Sequence, residues 1–89
     1  MVGHVGDGNF HLVFLIDPAN EEQMRCAAGV NDRMVARAID MGGTCTGEHG
    51  VGYGKIECLK HEHGEAVSVM RTLKQAMDPQ GIMNPGKIV

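Results

Sequence analysis

The chain predicts an α+β fold, a short antiparallel sheet packed by two or three helices, and three observations carry that expectation. Phe10 to Ile16 is an apolar run broken only by His11 and bounded by Gly8-Asn9 and Asp17-Pro18, which reads as a buried strand. Apolar residues then recur at helical spacing in two later segments, each closed by a helix-stopping residue. Between them, Gly42 to Gly54 is too rich in glycine for a stable helix or a regular strand, a composition typical of backbone that passes close to something else.

Taken in order, Gly6 and Gly8 permit a sharp turn that brings His4 back beside the strand carrying His11. On that strand His11 shares a face with Val13 and Leu15, while Phe10, Leu12, Phe14 and Ile16 point the other way. Asn20, with Gln23 three residues on, predicts the start of a helix of about six turns (3.6 residues each) through Met24, Ala27, Ala28, Met34, Val35 and Ala38, closed by Gly42-Gly43. Gly29 inside it is either tolerated strain or a close helix-to-sheet approach. Thr44-Cys45-Thr46 is long enough for a short strand. Lys55 to His63 predicts a short helix ending at Gly64. Glu65 to Met77 predicts another, with a stripe of Ala66, Met70, Leu73 and Met77 stopped by Asp78-Pro79. The tail from Gln80 to Val89 is turn-rich, ends apolar, and reads as a docking tail.

With 89 residues, no repeat and no linker, positions 1–89 form one small unit, and a chain this short buries a modest share of its surface. Three cysteines without a Cys-x-x-Cys pair argue for reduced thiols in a cytoplasmic setting rather than a disulfide framework. A metal or a partner surface must then help to stabilise it, and 43% hydrophobic residues lead to the expectation of a homo-oligomer, most simply a symmetric dimer. No signal peptide and no membrane span is evident. A net charge of -3, with Phe10, Phe14 and Tyr53 as the only aromatics, leaves nothing to neutralise phosphates or stack bases, so nucleic acid is not expected as a partner.

The glycine motifs do not fit nucleotide loops. Gly3-His4-Val5-Gly6-Asp7-Gly8 precedes a strand instead of opening a helix after one, and Gly54-Lys55 is followed by Ile56 instead of Ser or Thr. Histidines and a carboxylate in close-approach backbone do form the inventory of a metal site with a base beside it. His4, His11, Glu48 and His49 are the candidates, because imidazole and carboxylate both suit zinc and a catalytic metal takes three protein ligands. Two readings stay open on spacing alone: a shared metal, or ordinary hydrogen-bonded histidines. Glu48 and His49, adjacent on an extended segment, are expected to point to opposite sides and take different roles. Asp7 is as well explained by an Asx-type turn. His61-Glu62-His63 lacks the spacing of a helical metal motif and reads as solvated surface, Cys45 as a small buried residue, and the methionines Met24, Met34, Met70 and Met77 as core or interface filler.

Three motifs together, Gly3 to His11, Gly42 to Gly52 and Asp78 to Lys87, closely resemble the C-terminal domain of FAD-linked oxidases, a family that includes D-lactate dehydrogenase, the flavin subunit of glycolate oxidase and D-2-hydroxyglutarate dehydrogenase. The resemblance implies a ferredoxin-like cap domain of which only the later strands and helices are present, so the chain reads as a fragment without its FAD-binding domain. It implies that His4, His11 and Glu48 bind a divalent metal, commonly zinc, and that His49 is the general base of a 2-hydroxy-acid oxidation in which hydride passes to FAD. The hydroxyglutarate enzyme has a substrate-binding asparagine two residues after the second histidine, where this chain has Val13, which fits lactate or glycolate better than a dicarboxylate. The rival expectation is a free-standing metal-binding or assembly module without redox activity.

Overall fold

In a computed structural model describing all 89 residues, the chain runs β1 (Val2–His4), a 3-10 turn (Val5–Asp7), β2 (Asn9–His11), α1 (Glu21–Asp40), α2 (Ile56–His63) and α3 (Ala66–Met77). β1 and β2 pair antiparallel with Val2 opposite His11, Gly3 opposite Phe10 and His4 opposite Asn9, which realises the α+β class. The turn closes by a hydrogen bond from Gly8 N–H to the Val5 carbonyl at 3.1 Å, and Gly8 supplies the left-handed backbone it needs at φ 72°. Cross-strand partners share a face and alternate residues share a face, so Val2, His4, Asn9 and His11 all lie on one side of the ribbon.

The strand is shorter than its apolar run predicts. β2 stops at His11, and residues 12 to 17 leave it as irregular chain with Val13 and Leu15 exposed. A strand needs a ladder partner for each backbone N–H and carbonyl, and β1 reaches only as far as His11. The expected strand at Thr44-Cys45-Thr46 is also absent, because that segment is bent and hydrogen-bonded to a side chain of α2.

The helices follow the sequence closely. Asn20 caps α1 by accepting from Gln23 N–H at 3.1 Å, and the Gln23 side chain accepts in turn from Asp17 N–H at 2.9 Å. At the other end Gly43 N–H reaches the Ala38 carbonyl and Gly42 N–H the Ile39 carbonyl, with Gly42 at φ 81°, the paired bonds of a Schellman ending. Only Arg33 comes near Gly29, so no other element approaches that glycine. Asp78 ends α3 and organises the tail. Its carboxylate accepts from Ile82 and Met83 N–H at 3.0 and 2.9 Å and pairs with Lys74, whose ammonium holds the carboxyl below the usual carboxylate range with help from the two amides.

Packing is sparse. Leu59, Val67, Cys45 and Asp78 are the four buried residues, so the core lies where α2, α3 and the glycine-rich loop meet. The accessible surface is 6958 Å², whereas a compact chain of this mass exposes about 5,000 Å². The radius of gyration is 15.5 Å against about 12 Å for a compact chain of this length. Leu73 and Met77 of the α3 stripe are exposed, so that stripe faces outward, whereas on α1 Met24 is exposed but Ala27, Met34, Val35 and Ala38 are half-buried.

Replacing the α1 cap, Asn20→Ala, is expected to lower stability by about 1 kcal/mol, while Asn20→Asp keeps it. Urea denaturation followed by helix circular dichroism checks the pair.

Candidate metal and base site

Glycine-rich backbone and the β-ribbon converge on His11. His11 Nε2 lies 2.6 Å from Glu48 Oε1, although β2 and the loop are distant in sequence. His49 Nε2 is 3.9 Å from the same Glu48 oxygen, and the His11 and His49 rings stand 5.0 Å apart, tilted by 37°. One donor atom from each of His11, Glu48 and His49 falls within 4.8 Å of the others. Two imidazoles and one carboxylate in this arrangement suit a zinc-like divalent ion, which takes nitrogen and carboxylate oxygen at about 2.0–2.2 Å.

The four sequence candidates are thus unequally placed. His11, Glu48 and His49 come together, and His4 stands outside the cluster. His4 nevertheless shares the ribbon face with His11 as its diagonal neighbour, a relation that sets such residues at about 7–8 Å. The expectation that Glu48 and His49 point to opposite sides does not hold. Residues 47 to 49 form a bend instead of an extended run, so both side chains turn toward His11.

The loop that carries them is tied at several points. Glu62 on α2 accepts from Cys45 N–H at 3.0 Å and from the Thr44 hydroxyl at 3.1 Å, with His63 3.6 Å from its other oxygen. Only 13% of its side chain is exposed, which corrects the reading of Glu62 as solvated surface, while His61 and His63 are exposed as expected. The Cys45 N–H, followed by the Thr44 hydroxyl, holds the Glu62 carboxyl below the usual range. Burial, followed by Glu62 itself, pushes the Cys45 thiol up, and Cys45 is a buried core residue as its size predicts. At the far end of the loop Ile88 N–H donates to the Gly52 carbonyl at 2.6 Å, and Lys87 sits 5.5 Å over the Tyr53 ring. Neither Glu62 nor Asp78 carried a sequence signal as an anchor, since each holds backbone amides as well as side chains, and main-chain partners cannot be read from residue identity.

Residues 1–88 match the family described as FAD linked oxidases, C-terminal domain. The chain is 51% identical over its whole length to a mitochondrial D-lactate dehydrogenase [cytochrome] of Arabidopsis thaliana, spanning 16% of that protein. It is 57% identical over 99% of its length to D-lactate dehydrogenase [cytochrome] 1, mitochondrial, of Saccharomyces cerevisiae, spanning 15% of it. To glycolate oxidase subunit GlcD of Bacillus subtilis it is 41% identical over 97% of its length, spanning 18%. The chain therefore spans about a sixth of the length of the relatives it matches. No helix is long and apolar enough to cross a membrane.

The Glu62 anchor has a pH signature. A carboxyl whose folded pKa is depressed adds stability that is present above its ordinary value of 4.5 and is lost as pH falls through the lower folded value. Glu62→Ala is expected to cost about 2 kcal/mol at pH 7, the scale of hydrogen bonds to a charged acceptor, and to flatten the stability profile below about pH 4.5. Urea midpoints of parent and variant at pH 7 and in the acid limb measure both effects.

Proposed function

Because the chain belongs to the family of C-terminal domains of FAD linked oxidases, we propose that it is the substrate- and metal-binding part of an FAD-dependent D-2-hydroxy-acid dehydrogenase of the lactate or glycolate type. The observation that carries this reading is the contact of His11 with Glu48, with His49 beside both. In it, His11 and Glu48 hold a divalent metal, zinc being the ion the donor set suits best, and His4 completes the set from the same ribbon face. Held by these residues, zinc would supply Lewis acidity toward a hydroxyl of the substrate. His49, with 71% of its side chain exposed, takes the hydroxyl proton on an imidazole nitrogen. The chemistry that FAD supplies is acceptance of the hydride from the α carbon, which leaves a 2-oxo acid.

A second assignment is favoured by the clustering itself: His49 as the third metal ligand, since its donor atom lies within 4.8 Å of those of His11 and Glu48. The two differ in which histidine the metal needs. FAD would be held by a separate FAD-binding domain or subunit, and the exposed apolar residues Leu15, Leu73 and Met77 support cover of this kind. The three free cysteines suit a reducing compartment such as the cytoplasm.

Calorimetric titration with zinc is expected to give about one equivalent bound. His11→Ala and Glu48→Ala should each weaken binding roughly 100-fold, because zinc sites worth about 10–16 kcal/mol share that energy among about four ligands. His4→Ala weakens it comparably if His4 is the third ligand, and His49→Ala does so if His49 is. No zinc binding by the parent sinks the site. In a flavin-loaded protein that contains this chain, His49→Ala should slow flavin reduction by D-lactate by about two to four orders of magnitude with metal retained. Without such a partner the chain is expected to self-associate, and a monodisperse monomer in light scattering at micromolar concentration would contradict this.

A further inference from the structure

We propose that Asn9 is a positioning residue, whose amide meets the backbone of Gly47 and sets how the glycine-rich loop seats on the β-ribbon, so that Glu48 reaches His11. A side-chain carbon at Gly47 would overlap Asn9 Oδ1 and approach Asn9 Cγ to 2.8 Å and Nδ2 to 3.3 Å, so the whole amide lies against this glycine. Gly47 does not need to be glycine for its backbone. Its φ lies outside the left-handed region, unlike Gly50 and Gly52, which have positive φ and open space around them. Position 47 is therefore glycine to make room for Asn9, whereas positions 50 and 52 are glycine to turn the chain.

The location gives the contact its consequence. Asn9 is half-buried on the ribbon face it shares with His11, and Gly47 directly precedes Glu48, whose carboxylate is 2.6 Å from His11 Nε2. One residue from the carboxylate, the loop's advance toward the ribbon is limited by the Asn9 amide. If the amide is removed, the loop loses its stop. If a methyl group is added at position 47, the Asn9 amide must turn aside or the loop must shift. Either change moves Glu48 relative to His11. The inference concerns the Glu48–His11 geometry and rests on the metal reading above only for its metal-binding readout.

Four versions of the chain test it: parent, Asn9→Ala, Gly47→Ala and the double variant. Without metal, nuclear Overhauser contacts between the His11 ring and the Glu48 side chain report the geometry directly. With Co²⁺ as probe, absorption titration reports affinity. Each single variant is expected to lose the His11–Glu48 contacts and to weaken Co²⁺ binding about 10- to 100-fold, the range typical of residues that orient metal ligands. Added to Asn9→Ala, Gly47→Ala should cost no more than about a further twofold, because the space it fills is then vacant. The proposal is overturned if the two penalties simply multiply, or if Asn9→Ala leaves contacts and affinity at parental values. Where the parent itself binds no Co²⁺, the metal reading fails and the Overhauser contacts alone decide the role of Asn9.

Discussion

The loop from Gly42 to Gly54 has few hydrogen bonds of its own, the Thr46 hydroxyl to the Gly50 carbonyl and Thr46 N–H to the Thr44 hydroxyl, and the meeting of Glu48 and His49 with His11 depends on where that loop is held. Its main tie is the Glu62 carboxylate, which takes the Cys45 amide and the Thr44 hydroxyl from the side of α2. A charged acceptor in a mostly buried place holds such donors more tightly than a neutral one, and the depressed pKa of Glu62 expresses the same preference. α2 is fixed in turn by Leu59 in the small core. The loop is therefore joined to the packed part of the molecule by the Glu62 carboxylate and by the buried Cys45 side chain, with Ile88 and Lys87 of the tail steadying its far end.

Much of this was legible in the residues. The cap at Asn20, the glycine ending at Gly42-Gly43, the stop at Asp78-Pro79 and the return of β1 onto β2 all follow from local chemistry, which sequence carries directly. The apolar run after His11 misled because apolar character signals a wish for cover, while a strand also requires a partner for its backbone. Glu48 and His49 were recognisable as candidates but not their orientation, since a bend among glycines has no side-chain periodicity to read. Glu62 was missed for a different reason: a carboxylate that holds main-chain amides looks the same in sequence as one in water.

The exposed surface bears on what the unit is for. A chain that buries four residues and exposes an apolar stripe on α3 presents a surface for another layer more than it encloses a core of its own. The site follows the same pattern. His49 is mostly exposed and Glu48 nearly half exposed, so the cluster opens to solvent instead of being enclosed by this chain.

The hydrogen bond from Ile88 to Gly52 has a consequence for the order of folding. Helix ends and the tight turn at Gly8 close within a few residues and form first, whereas joining position 88 to position 52 spans two helices and must wait until both have been made. During synthesis the loop bearing Glu48 and His49 therefore emerges well before its final tie exists.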